Sequence, residues 1–384
     1  MDLFDESIVP EHARAVKAEA RAFAKEHVAP AAADYYESGE YPWEVLEAGM
    51  DAGLVAQDLP EEYGGRGLSL QAVLGMAEEL YRADAGIALT LQLASFGAEI
   101  LVEHGDEDLR AEYLPPVANN DQLTGLAVSE PETGSNLAGM TTTAEREGDE
   151  WVLNGEKYWI GNGVEADWLT VYAKTGDDPE NPYGNYSLFV VPTDVDGYHA
   201  EHIPEKIAMR ASKQAHVTFE DCRIPADHLI GEEGAGFPAL ADFFNHGRVV
   251  VGGHGLGLAA AAIEEAWAFV HDREAWGQPI SEFQSVKHDL ADMRLDFEAA
   301  RALVWRAADR VAADEDPGYW AALAKTAGTE AAADCAETAM QLHGGRSVLA
   351  ERRISRIYRD VRIPVVYEGA NPVQRDLIYG QAPR

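Results

Sequence analysis

The chain has 384 residues, 46% of them hydrophobic, and carries 67 acidic against 30 basic side chains for a formal net charge of −37. That length and apolar content exceed a minimal single domain, while so negative a surface repels nucleic-acid phosphates and anionic membranes. A nucleic-acid-binding role is disfavoured, and no uninterrupted apolar run is long enough to cross a bilayer, so no membrane insertion is expected.

The N-terminus, MDLFDESIVPEHARAVKAEARAFAKE, is an acidic amphipathic pattern without a signal peptide's apolar centre, which predicts a cytoplasmic protein. Cys222 and Cys335 stand in no metal-ligand or CxxC spacing, so both are expected to be structural thiols in a reducing compartment. The carboxylates are scattered between Ala-rich segments rather than gathered in a tail. That distribution suits a high-salt cytoplasm in which counterions screen self-repulsion.

From about residue 9 to 115 apolar residues recur at helical spacing, with breaks expected at Pro42, at Pro60 to Gly67 and at Pro115-Pro116. Between Thr124 and Ile230 the pattern changes to short β-rich runs: Trp151 to Leu153, Trp168 to Ala173 and Tyr186 to Val191. Turn signals separate them, and the spacing predicts a compact antiparallel β-domain. After Gly234-Ala235-Gly236-Phe237 the helical period returns over 236–271, 282–313 and 317–342, with a last helix from Pro372 to Tyr379. Long helices with short connections predict a bundle. The fold class is therefore α+β, in three regions: an N-terminal helical domain (1–120), a middle β-domain (121–233) and a C-terminal helical bundle (234–384).

Neither a strand-GxGxxG-helix loop nor GxxxxGK[ST] is present, so a nucleotide cofactor must be held in another way. His246, His254 and His343 share no metal spacing with carboxylates or cysteines and are taken as surface or packing residues; no metal is expected. The segment Pro364 to Ala370 places Glu368 between an apolar run and a glycine. A carboxylate drawn from water there gains proton affinity and could act as base on a weakly acidic C–H; the bland alternative is a strand-end side chain in solvent.

Several segments together decide between these readings. RDVRIPVVYEGANPVQRDLIYG resembles the active-site segment of flavin-dependent acyl-CoA dehydrogenases. Leu126 to Asn136, containing Ser129-Glu130-Pro131, resembles that family's TEPxxGSD segment, and Asn154 to Gly163 is similar to its GxKxWITNG strand. Phe219 to Pro225 and Gly231 to Phe237 look like the link from β-domain to bundle. Arg273 to Ile280 followed by Phe283-Gln284 resembles RxxFGxxIxxFQ, and Gln341 with Gly344 and Gly345 resembles QxxGGxG. The resemblance covers nearly the whole chain.

The resemblance implies FAD as cofactor, with Glu368 as the base that takes the α-proton of an acyl-CoA. It assigns Val128, Ser129, Trp159, Gly161, Arg273, Trp276, Gln284, Gln341, Gly344 and Gly345 to the cofactor, with Arg273 serving a neighbour's FAD in a homotetramer. Ser135, Asn245, Arg248, Tyr367 and Gly369 fall to the substrate, and Leu89, Gln92, Leu93 and Phe96 to one helical face lining the acyl tail. An electron-transfer flavoprotein is the implied partner. Physical reasons run alongside: a flat apolar ring system needs a wall such as Trp159 and a few donors such as Ser129, and a diphosphate suits the planar fork of Arg273. Ordinary alternatives remain for each: a β-domain core residue for Trp159, a helix-end ion pair for Arg273, a helix cap for Gly344 and Gly345, a surface side chain for Arg248, and plain helix packing for the tail residues.

Three features depart from the family pattern. Gly161 replaces a threonine that hydrogen-bonds the flavin, Ala370 and Pro372 replace a hydroxyl and an amide or carboxylate after YEG, and Ser347 replaces the last glycine of QxxGGxG. Each lost hydrogen bond is worth about 0.5–1.5 kcal/mol. Some family members place the base on a bundle helix instead, and that position here is Gly247, which offers no competing carboxylate. The expected reaction is α,β-desaturation of an acyl-CoA, short or branched because Leu93, Phe96 and polar Gln92 leave little room for a long tail. A flavin acyl-CoA oxidase and a weakly catalytic paralogue acting as a binding protein are the alternatives.

Overall fold

The computed structural model describes residues 4–381; the outermost residues of the first and last expected regions lie outside that range. Seven helices come first: α1 (Glu11–Phe23), α2 (Ala29–Ser38), α3 (Trp43–Asp51), α4 (Leu70–Ala83), α5 (Ala85–Leu93), α6 (Ala98–His104) and α7 (Glu107–Ala118). Their starts follow local chemistry. Ser69 accepts from the Ala72 N–H at the head of α4, Asp84 from Gly86 and Ile87 at α5, and Asp106 from Leu109 at α7, each satisfying donors that a helix leaves open. The break expected at Pro115-Pro116 is absent, since both prolines lie within α7, in its last turns, and the helix ends only at Ala118.

The middle region contains β1 (Thr124–Ala127), β2 (Thr143–Glu147), β3 (Glu150–Gly161), β4 (Trp168–Lys174), β5 (Tyr186–Pro192), β6 (Tyr198–His202), β7 (Gln214–Pro225) and β8 (Leu229–Ile230) in one sheet ordered β6-β7-β3-β2-β4-β5-β8, with β1 beside β4. The expectation of a purely antiparallel sheet is corrected here: β1 pairs parallel with β4, and β2 touches β4 in parallel at Thr143 and Lys174. The chain enters β1 directly from the helical region and reaches β4 only after a long connection through β2 and β3, so no tight hairpin forces opposition. Phe219 to Pro225, expected as a linking segment, is the second half of β7.

Strands β4 and β5 are buried on both faces. Trp168 and Tyr172 on β4, with Tyr186, Leu188 and Val190 on β5, join the large helical core, whereas Leu169, Val171, Phe189 and Val191 fill a smaller core inside the β-region with Trp151 and Phe219. Side chains alternate between faces along a strand, so a strand covered on both sides becomes nearly all apolar.

The C-terminal region is built on α8 (Gly236–Asp272), followed by a hairpin of β9 (Glu274–Ala275) and β10 (Gln278–Pro279), then α9 (Gln284–Ala312), α10 (Pro317–His343), α11 (Arg353–Asp360) and α12 (Asn371–Gln381). By length and composition alone α8 could cross a membrane, contrary to the sequence expectation, but 89% of its most apolar window is buried inside the protein. Its central stretch, residues 249–263, is buried on every side because α4, α9 and α10 pack against the helix. Backbones approach closely there: a Cβ on Gly255 would fall 2.2 Å from the Gly328 carbonyl oxygen on α10.

Candidate active site

The segment carrying Glu368 is a turn between α11 and α12, not a strand end. Its closure is explicit: the Asn371 N–H donates to the Val365 carbonyl (3.1 Å), and Gln374 Nε2 donates to the Gly369 carbonyl (3.0 Å). Glu368 itself has φ +53° and Gly369 φ +88°. The left-handed region is costly for a side-chain-bearing residue, so the surroundings must impose it. One imposed contact is visible, with Arg248 Nε on α8 donating to the Glu368 carbonyl (3.3 Å).

The carboxylate turns inward onto α8. Its Oε2 is buried with no hydrogen-bond partner among the described residues. A Cβ built on Gly247 would lie 2.5 Å from that oxygen, so the missing side chain makes the room the carboxylate occupies. Burial pushes the Glu368 pKa up from 4.5 to about 7, against the opposing pull of Arg248 and then Lys325. The Glu368 N–H is likewise without a partner among the described residues.

Around this carboxylate the structure gathers part of the expected set. Asn245 and Arg248 share α8 with Gly247, both half-buried, and the Arg248 guanidinium lies 5.5 Å over the Phe244 ring. Phe96 meets Phe243 edge-on with centroids 5.2 Å apart. Tyr367 places its hydroxyl 2.5 Å from His254 Nδ1, and the His254 ring stacks on Tyr81 at 3.8 Å. The expectation of a surface or packing role holds for His254 as packing, since it is 1% exposed. Tyr81 in turn donates to Gln92 Oε1 (3.3 Å), and Leu89 on α5 is buried.

The cofactor set divides. Val128, Ser129, Trp159 and Gly161 lie on or beside β3. A register shift between Tyr158 and Ile160, with φ +70° at Trp159, forms a bulge that turns the indole outward. Trp159 is 59% exposed, so it is not a core residue of the β-region. Buried Lys157 fixes the neighbouring loop by donating to the Val128 carbonyl and to Glu130 Oε1, both at 2.9 Å. Burial alone would raise the Glu130 pKa, yet Lys157 and the Thr142 and Thr141 N–H groups hold it down to about 2. The Ser129 hydroxyl has no partner among the described residues, and Ser135 is exposed. An outward indole beside an unpaired hydroxyl suits a flat ring with a polar edge, so these residues fit FAD.

Arg273, Trp276, Gln284, Gln341, Gly344 and Gly345 form a separate exposed group. Phe269 near the end of α8 stacks on His343 at the end of α10 (4.2 Å), which brings the hairpin and the glycines to the same end of the bundle. Trp276, at the hairpin tip, is 91% exposed. Arg273 makes no ion pair among the described residues, which removes the ion-pair alternative. At a helical rise of about 1.5 Å per residue, Arg273 lies twenty-five residues, or roughly 38 Å, along α8 from Arg248. One chain does not bring this group to Glu368. Gly344 does cap α10, with φ +57°, and the Ser347 hydroxyl donates to the Gly344 carbonyl (2.8 Å).

Sequence reasoning missed two groups near Glu368. Glu99 on α6 accepts from the Gly97 N–H (2.8 Å), and burial and then Asp58 raise it well above the usual carboxylate range. Lys325 on α10 is fully buried. Its signal was a lone lysine in the run AALAKTAGT, where every other residue is small or apolar.

Three family models match in series: the N-terminal domain of acyl-CoA dehydrogenase over residues 10–121, the middle domain over 125–222 and the C-terminal domain over 234–382. The chain belongs to the acyl-CoA dehydrogenase family. A probable acyl-CoA dehydrogenase, fadE25, of Mycobacterium leprae is 37% identical over 97% of this chain and 96% of its own length. The human mitochondrial short-chain specific acyl-CoA dehydrogenase is 36% identical over 94% of this chain and 87% of its own. The solved structure of butyryl-CoA dehydrogenase from Megasphaera elsdenii superposes with a TM-score of 0.93 at 29% identity and full coverage of both chains. Members of this family are flavoprotein oxidoreductases, and this chain has their fold.

Proposed function

We propose that the protein catalyses α,β-desaturation of a short or branched acyl-CoA, with Glu368 as the base. The observation that carries this reading is the inward carboxylate of Glu368, held in a strained turn, its Oε2 buried without a partner and its pKa raised to about 7. A base with a pKa near the working pH combines ionisation with proton affinity. The carboxylate removes a proton from the α-carbon, and the electron pair of that C–H bond becomes the new C=C bond as the β-hydrogen leaves with its electrons. Bound FAD would accept that hydride. The unpaired Glu368 N–H is available to the thioester oxygen, where charge develops as the proton leaves.

Val128, Ser129, Trp159 and Gly161 would hold the flavin end of the cofactor. Arg273, Trp276, Gln284, Gln341, Gly344 and Gly345, too far along the bundle to serve their own Glu368, would hold the cofactor of a neighbour, which supports a homotetramer. Electrons then pass to an electron-transfer flavoprotein, and the buried free thiols of Cys222 and Cys335 suit a reducing cytoplasm. Short-chain preference is supported by the Phe96-Phe243 contact and by the polar Tyr81-Gln92 pair, which a long alkyl tail would have to desolvate.

Anaerobic mixing of the FAD-loaded protein with acyl-CoAs of increasing length tests the proposal. Butyryl- or isobutyryl-CoA should bleach the flavin fastest, and Glu368→Gln should slow bleaching by on the order of 10²- to 10⁴-fold. Near-normal bleaching by Glu368→Gln overturns the assignment of the base; a preference for palmitoyl-CoA overturns the chain-length reading.

A further inference from the structure

Lys325 lies in the first half of α10 with 0% exposure, and α10 packs against both α8 and α12. An ammonium group is expensive to bury unless an opposite charge or a good set of acceptors compensates it. Its hydrogen-bond partner is the neutral carboxamide of Asn371, whose Oδ1 lies 2.6 Å away, and it forms no salt bridge among the described residues. Asn371 is well placed to transmit that contact. Its N–H closes the 365–371 turn on the Val365 carbonyl (3.1 Å), and its Nδ2 donates to Thr329 Oγ1 (3.0 Å) and Glu330 Oε1 (3.2 Å) on α10. The turn so anchored is the one that forces Glu368 to φ +53°.

We propose that Lys325 is a positioning residue for the base: through Asn371 it tethers the turn that carries Glu368, and its ammonium is the buried counter-charge of that carboxylate. The charged and titratable groups facing Glu368 are Arg248 on α8, Lys325 on α10, Glu99 on α6, Tyr81 on α4 and the adjoining Tyr367. Glu330 faces Lys325. Of these, only Arg248 and Lys325 favour the ionised carboxylate; Glu99 is itself pushed well above the usual carboxylate range by burial and then Asp58, and the tyrosines stay neutral. Arg248 is committed through its Nε to the Glu368 carbonyl. Loss of the lysine charge therefore leaves a single cation to offset burial.

The inference rests on Glu368 acting as the base, and the test keeps the two separable. In FAD-loaded protein, kcat/KM is followed against pH for wild type, Lys325→Met, Lys325→Arg and Asn371→Ala, and the Glu368 carboxyl is titrated directly by infrared difference spectroscopy against Glu368→Gln. Lys325→Met should move both the acid limb and the carboxyl titration up by about one pH unit. At pH 6 kcat/KM then falls about tenfold, while the value at pH 9 changes little. Lys325→Arg should restore the wild-type position, and Asn371→Ala, which cuts the tether but keeps the charge, should lower kcat at every pH without moving the limb. If Lys325→Met does not fold, Lys325→Gln, which retains a donor to Asn371 without the charge, carries the same expectation. An unshifted limb and an unshifted carboxyl titration in the neutral variant overturn the inference. Normal bleaching by Glu368→Gln would instead remove the reading beneath it.

Discussion

Replacing Glu368 by Gln is expected to make the protein more stable, with a gain that depends on pH. Burial raises the Glu368 pKa from 4.5 to about 7 in the folded chain. The folded state thus binds this proton more tightly than the unfolded state, so the associated stability is fully present below 4.5 and is lost as pH rises through 7. With about 1.36 kcal/mol per unit, ionising the native carboxylate costs on the order of 3 kcal/mol at pH 8 and about 1 kcal/mol at pH 5. Glutamine keeps the shape and carries no charge to desolvate. With an unfolding entropy of about 2.1 cal/mol/K per residue, a chain of this size gains roughly 4 °C in midpoint at pH 8 and little more than 1 °C at pH 5. Calorimetric scans of both proteins at the two pH values, in the same concentrated KCl and with FAD saturating, measure the difference. Equal midpoints at pH 8, or a gain independent of pH, would refute the argument that burial of an ionised carboxylate is what raises its proton affinity.

Gly161→Thr, which would return the family's hydroxyl, is expected to lower the thermal midpoint, because a Cβ there falls 2.6 Å from Leu93 Cδ1 and overpacking costs about 1–3 kcal/mol. Gly161→Thr with Leu93→Ala should recover part of that loss and retain FAD better on dilution than wild type; a fully stable single variant would show that Leu93 moves aside freely. The scattered carboxylates predict that midpoint and oligomer content fall together as KCl is withdrawn, because the screening length grows from about 3 Å at 1 M to about 10 Å at 0.1 M. A midpoint flat across that range excludes adaptation to high salt.

The fold was legible where periodicity is long or both faces of a strand are apolar. α8, α9 and α10 begin and end within a few residues of expectation, and β4 and β5 announce themselves as continuous apolar runs. Strands β6 and β7 were not recognised. β6 is mostly exposed, and β7 alternates buried residues with polar ones through TFEDCR, a pattern that also suits a loop. The helix α11, RISRIYRD, was not recognised, although Ile354 and Ile357 are spaced for one buried face.

The site was legible as residue types and not as geometry, and the difference lies in what determines each. Glu368 could be picked out from its neighbours in sequence, but its inward aim depends on a positive φ, on an arginine 120 positions earlier and on an empty Cβ position at Gly247. None of these is local. Gly161 shows the same limit in a smaller compass. From sequence it was a missing donor, whereas in the fold its lack of a side chain admits Leu93 from α5, so the substitution couples the tail-facing helix to the end of β3. A vacancy on one element is filled by a side chain from another, and its consequence is a packing constraint between candidate substrate and cofactor positions. For that reason Gly161 and Leu93 are expected to behave as a pair under mutation, with an interaction energy rather than two independent effects.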